Sequence, residues 1–196
     1  MTDRAVRVAL IIGSARKSRF TTTVATWFGD RLAERQDIEV DVVDLADVSL
    51  SAGGPSHQPD PADVAALAET APRLAAADAF VVVTPEYNHS FPAVLKNFID
   101  WHLTEWGAKP VGFVSHGGMS GGLRAVEHLR QVFAELHAVS IRETVSFHGG
   151  QATFGPDGVP VDADGCAGAA KLMIDQLLWW ALALRDAKAV RPYRAG

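Results

Sequence analysis

Apolar residues recur along this chain in two rhythms that take turns. Val6, Val8, Ala9, Leu10, Ile11 and Ile12 make a near-continuous run ending at Gly13, the pattern of a strand buried on both faces. Val24, Trp27, Phe28 and Leu32 follow at helical spacing, and then Ile38, Val40 and Val42 alternate with Glu39 and Asp41 as a strand does. Val64, Leu67, Ala68 and Leu74 predict a helix, and residues 80–84 a third, wholly apolar strand. Pro92 suits the first turn of the next helix, where its missing N–H costs nothing, and Val94, Leu95, Phe98 and Ile99 share one face of it. Residues 110–116 read as a strand and residues 123–136 as an amphipathic helix. Residues 139–147 form a fifth candidate strand, and Leu172, Met173, Leu177, Trp180, Ala181 and Leu184 mark a final helix. Residues 49–61 and 148–165, rich in Gly, Pro, Ser and Asp, are loops, the second with room for a small hairpin.

Strand and helix alternate throughout, which implies βαβ units and a parallel sheet covered by helices on both faces. Five units in 196 residues fit the flavodoxin-like α/β order 2-1-3-4-5, a three-layer sandwich, better than the longer dinucleotide-binding fold. No repeat, low-complexity tract or linker interrupts the pattern, so residues 1–196 are expected to form one domain.

Composition narrows the function. Hydrophobic residues make up 48% and charged residues 21%, as in an ordinary soluble protein. The formal net charge of -5 argues against a general affinity for nucleic acid or anionic membranes. Cys166 is the sole cysteine, which excludes an internal disulfide and reads as a structural thiol. The first apolar run is too short to span a membrane and lacks a signal-peptide layout, so the cytoplasm is the expected compartment. The seven histidines do not pair at ligand spacing with carboxylates, so no metal is expected.

Chemistry is expected beyond the carboxyl ends of the strands, where open α/β sheets bind ligands. The first strand runs into Gly13-Ser14-Ala15-Arg16-Lys17-Ser18-Arg19-Phe20-Thr21-Thr22-Thr23, with a helix expected to start near residues 20–23. Hydroxyls, loop amides, a helix N-terminus and three cationic side chains therefore gather at one spot, as a phosphate requires. Ser and Thr at a helix start also serve as plain caps, and surface Arg and Lys are common. The combination directly after the first buried strand is what points to phosphate. It lacks the Gly-Lys-Ser/Thr of a Walker loop and the glycine spacing of the dinucleotide fingerprint.

The third strand leads into Thr84-Pro85-Glu86-Tyr87-Asn88-His89-Ser90-Phe91-Pro92. Two prolines stiffen this loop, its amides can meet the polar edge of a flat ring, and Tyr87 offers an aromatic surface; alone, the segment is also compatible with a simple turn. Gly117-Gly118 and Gly121-Gly122 allow backbone to approach a ring closely, or merely shape a turn before a helix.

Gly13-Ser14-x-Arg16, the run from Pro85 through Trp101, and Gly117-Gly118-Met119-Ser120-Gly121-Gly122-Leu123-Arg124-Ala125 together resemble the NADPH-dependent FMN reductase family, which includes azoreductases, quinone reductases and chromate reductases. The resemblance extends from Val6 to about Phe147. It implies one noncovalent FMN per subunit and a ping-pong transfer of hydride from NADPH or NADH to FMN and on to a quinone, azo or free-flavin acceptor. By motif position, Ser14, Arg16, Arg19, Phe20 and Thr21 hold the FMN phosphate. Pro85, Glu86, Tyr87 and Asn88 border the ring, and Ser115, His116, Gly117 and Gly118 close its other side. No side chain is assigned as a catalytic nucleophile or acid. The resemblance also implies a homodimer or homotetramer. Trp101 and Trp106, at the end of the helix after the third-strand loop, suit a dimer contact because aromatics favour interfaces, and Trp179-Trp180 fit a helix core or subunit interface better than a cofactor box. His116 departs from the tyrosine common in the family. Near the ring it would tune flavin potential; otherwise it is a neutral, hydrogen-bonded loop histidine. The rival reading is a flavodoxin-like electron carrier without turnover. Carriers of this fold usually show a strongly acidic face and no arginine in the phosphate loop, whereas Arg16 is present here.

Overall fold

The computed structural model describes residues 4–194; residues 1–3 and 195–196, which the one-domain expectation includes, lie outside them. The elements run β1 (Val6–Ile12), α1 (Phe20–Ala33), β2 (Ile38–Asp44), α2 (Pro61–Ala76), β3 (Ala79–Pro85), α3 (Ala93–Trp101), β4 (Pro110–Gly117), α4 (Leu123–Glu135), β5 (Val139–His148) and α5 (Ala163–Val190), with a 3₁₀ turn at Gly150–Thr153. The strands form one five-stranded sheet of order β2-β1-β3-β4-β5, and every pairing is parallel.

The apolar runs are continuous because both sheet faces are covered. Alternate residues serve separate cores. Val8 and Leu10 of β1, Val81 and Val83 of β3 and Val114 of β4 pack with Val24 and Phe28 of α1 and Met173 and Leu177 of α5. Ala9, Ile11, Phe80, Val82 and Phe113 point the other way, toward Leu74, Leu95, Phe98, Leu129 and Phe133 of α2, α3 and α4. Fully burying each of these Val, Leu, Ile, Phe and Met side chains stabilises the fold by roughly 1.5–3 kcal/mol.

Two expectations change. Trp101 and Trp106 are not surface aromatics available to a second subunit. Trp101 is buried and its indole N–H donates to the Ser51 carbonyl at 3.2 Å, while Trp106 is wholly buried against Phe80 and Phe133. The final helix also begins earlier than its large apolar residues suggest, at Ala163, where the Asp162 carboxylate accepts from the Gly165 amide at 3.1 Å. Of the 148–165 stretch, residues 149–162 lie between β5 and α5, and Phe154 and Pro160 form a single antiparallel bridge within them. Trp180 packs against the core while Trp179 is exposed.

The loop after β2 is tied down. The Ser51 amide and hydroxyl donate to Asp63 at 2.7 and 2.8 Å, and the Asp60 amide adds a third bond at 3.2 Å. These donors, the Ser51 amide foremost, hold the Asp63 carboxyl below the usual carboxylate range.

Candidate functional site

β1 and β3 are neighbours, with Ile12 in register with Val83, while the chain leaves β1 for β2 on the opposite side. Their loops, 13–19 and 86–92, therefore open at the switch point of the sheet. Gly13 binds the two strands together there. Its amide donates to the Val83 carbonyl at 2.8 Å, and a Cβ at this position would lie 2.9 Å from that same oxygen.

α1 starts at Phe20, as expected, after Arg19 in an extended conformation. No side chain caps the helix, so its first-turn amides remain directed at whatever sits before them. The three cations differ in role. Arg19 is engaged by Asp44 at the end of β2. Arg16 and Lys17 are exposed, and among the described residues neither lies in an ion pair. The Arg16 guanidinium carbon stands 5.6 Å from the centre of the Tyr87 ring. Ser14 is buried with its hydroxyl 3.3 Å from that of Tyr87. Ser14, Arg16 and Tyr87 thus form one contact group across the two loops.

The loop after β3 is a tight hairpin. Tyr87 and Ser90 exchange backbone hydrogen bonds of 2.8 and 3.0 Å, with Asn88 and His89 at φ of 49° and 71° between them. Two successive left-handed residues are the mark of a type I′ turn, and asparagine and histidine are among the non-glycine residues that enter this region most readily. The turn's paired backbone bonds add to the stiffness that the two prolines bring.

Glu86 does not extend into the open space over the sheet. Its side chain is 6% exposed, and its carboxylate accepts from the Ser120 hydroxyl at 2.6 Å, the Arg124 side chain at 2.6 and 2.7 Å and the Arg124 amide at 3.2 Å. Burial alone would raise this carboxyl, but the Ser120 and Arg124 donors outweigh it and hold it below its ordinary value. Arg124 also contacts His89 through its other guanidinium nitrogen. The clamp joins the loop after β3 to the start of α4. Arg124 and Ser120 belong to the motif at residues 117–125, where sequence reasoning assigns them no role, and nothing local in the sequence pairs them with Glu86.

The remaining predicted residues sit at the end of β4. Ser115 is buried and donates to the Gly121 carbonyl at 2.8 Å, so its hydroxyl braces the loop before α4. Gly122, the residue before α4, has φ of 91° and packs so tightly that a Cβ would lie 2.6 Å from that of Ser115. The Gly117 and Gly118 carbonyls accept from the Gly149 amide at 3.1 and 2.8 Å. The His116 carbonyl accepts from the Glu86 amide at 3.0 Å, but its imidazole turns the other way, to the Thr21 hydroxyl at 2.9 Å and the edge of Phe20. Burial pushes this histidine down to about 4, so it is neutral near pH 7. Among the described residues no three His, Cys, Asp or Glu side chains gather where a metal ion would sit, and no helix is long and apolar enough to cross a membrane.

Residues 6–152 match the family model described as NADPH-dependent FMN reductase. The chain belongs to that family. An NAD(P)H-dependent FMN reductase of Schizosaccharomyces pombe is 38% identical over 120 residues, 59% of this chain and 60% of that protein, so the match spans less than two thirds of that relative's length. A quinone reductase of Escherichia coli is 36% identical over 151 residues, covering 74% and 78%. In shape, this member of the NADPH-dependent FMN reductase family resembles FerB, a flavoenzyme NAD(P)H:(acceptor) oxidoreductase of Paracoccus denitrificans (TM-score 0.68, 21% identity, 89% of this chain and 98% of that one). A Corynebacterium diphtheriae oxidoreductase gives a TM-score of 0.71 at 16% identity, covering 92% and 98%. These two likenesses speak to the fold, which is flavodoxin-like as the strand order requires.

Proposed function

We propose that this protein is an FMN-dependent NAD(P)H oxidoreductase acting on a quinone, an azo compound, free flavin or a similar small acceptor. The observation that carries the reading is the contact group of Ser14, Arg16 and Tyr87 at the switch point, beside an uncapped helix start. FMN, when held by these residues, would supply the redox chemistry that links a nicotinamide to the acceptor.

The residues fit that cofactor. Arg16, with Lys17 beside it, supplies positive charge at the helix start, and the amides of Phe20 and Thr21 add donors for phosphate. Arg19, engaged by Asp44, shapes the rim of this end. Tyr87 and Asn88 border the ring, with Pro85 and Glu86 holding the loop they sit on. The backbone of Ser115, His116, Gly117 and Gly118 forms the opposite side. No side chain here acts as a nucleophile; the protein's part is orientation and hydrogen bonding.

The quinone reductase named among the relatives supports a small-molecule acceptor. We also propose that the whole chain is one FMN-binding domain, supported by its single sheet, and that it works as a homodimer or homotetramer. The exposed Trp179 and Leu172 of α5 are compatible with a subunit contact. Its lone thiol is compatible with the cytoplasm. Reconstitution with FMN followed by NADPH or NADH under anaerobic conditions tests the reading. Bleaching supports it, and a yellow protein inert to both nucleotides points to a carrier instead.

A further inference from the structure

His116 stands at the end of β4, yet its side chain serves α1. Its Nε2 lies 2.9 Å from the Thr21 hydroxyl, and its ring meets Phe20 edge-on at 5.1 Å between centroids. Phe20 packs edge-on against Phe154 from the segment after β5, also at 5.1 Å. Both members of the pair are buried, Thr21 at 1% exposure and His116 at 8%. Thr21 is the second residue of α1, in a first turn that no side chain caps.

Proton counting gives the pair two exclusive states. A threonine hydroxyl has one proton to donate, and a neutral imidazole has one N–H. A phosphate oxygen only accepts. If Thr21 gives its proton to an unprotonated Nε2, it has none for a phosphate. If Nε2 carries the hydrogen, Thr21 accepts from it and its own proton is directed elsewhere.

We propose that His116 is a positioning residue for the phosphate end of the site: it donates Nε2–H to Thr21 and so turns the Thr21 hydroxyl proton toward a phosphate at the start of α1. The proposal rests on the reading that this helix start holds the FMN phosphate. Because burial keeps His116 neutral, the choice of tautomer decides what Thr21 can do. The imidazole then discriminates between a flavin that carries a phosphate and one that does not, acting through Thr21.

The test uses the full chain stripped of flavin, titrated with FMN and separately with riboflavin by fluorescence quenching. The wild-type protein is expected to prefer FMN. His116→Leu and Thr21→Val are each expected to weaken FMN binding roughly 10- to 100-fold while leaving riboflavin within about twofold, as loss of a hydrogen bond to a charged group implies. His116→Gln keeps a donor near the Nε2 position and Thr21→Ser keeps the hydroxyl, so both are expected to restore most of the preference. Nitrogen-15 NMR of the FMN-loaded protein is expected to show His116 as the Nε2–H tautomer. Equal losses for FMN and riboflavin, unchanged FMN affinity, or an Nδ1–H tautomer would overturn the proposal while leaving the phosphate reading intact. A wild-type protein indifferent to the phosphate would overturn both. If His116→Leu does not fold, Thr21→Val and the tautomer measurement still decide.

Discussion

The Ser14 hydroxyl lies 3.3 Å from the Tyr87 hydroxyl, joining the loop after β1 to the loop after β3 across the switch point. Tyr87→Phe removes this contact and keeps the aromatic ring that Arg16 overlies. The expected result is a stability loss of about 1 kcal/mol, typical of a neutral hydrogen bond, read by denaturant melts. FMN affinity is expected to fall several-fold at most.

Arg16 is exposed and its one described contact is the Tyr87 ring, so it has little to do for the fold. Arg16→Ala is expected to weaken FMN binding roughly 10- to 100-fold, as loss of a charge-assisted bond implies, with the melting temperature nearly unchanged. Arg16→Lys should recover only part, since the planar fork is lost. Unchanged FMN affinity in Arg16→Ala removes the phosphate assignment.

Glu86→Gln tests the clamp. Arg124 is 40% exposed and can turn to water when its partner is neutralised, which keeps the cost to roughly 1–2 kcal/mol. Because the folded carboxyl is held below its ordinary value, its stabilisation is complete above about pH 4.3 and lost as pH falls through the folded value. The variant should therefore differ from wild type at pH 7 and converge with it in acid, as followed by thermal melts.

How far these features could be read in the sequence depends on their range. The strands were legible because double-sided burial leaves unbroken runs such as residues 79–83, and the α1 start was legible from Phe20 onward. The hairpin at Asn88-His89 was not, because that pair is not the Asn-Gly that announces a type I′ turn. The pairings of Glu86 with Arg124 and of Thr21 with His116 bridge 38 and 95 positions, and no local periodicity records them. Trp101 and Trp106 were misplaced because helix-end aromatics look alike in sequence whether they face a partner or their own core. The α5 start was late because its first turns carry Ala and Gly, whose small side chains leave no apolar stripe.

His116 should leave a mark on acid stability. Its folded value is about 4, against about 6.5 for an ordinary histidine, so the unfolded chain binds the proton first. Its contribution is whole above about pH 6.5 and drains away toward pH 4, by on the order of 3 kcal/mol at most. Melting temperature measured from pH 7.5 to 4.5 should fall more steeply in wild type than in His116→Gln. Equal slopes would show that the imidazole is not held neutral.

This fold is proposed to bind FMN at the switch point and to let NAD(P)H reduce it. The most direct measurement is the visible spectrum of the FMN-reconstituted protein under anaerobic conditions, before and after NADPH or NADH and then after a quinone such as menadione. Flavin bands are expected to stay with the protein through gel filtration, bleach with one or both nucleotides, and return with the quinone. A protein that stays colourless after reconstitution, or yellow bands that neither nucleotide bleaches, would contradict the proposal.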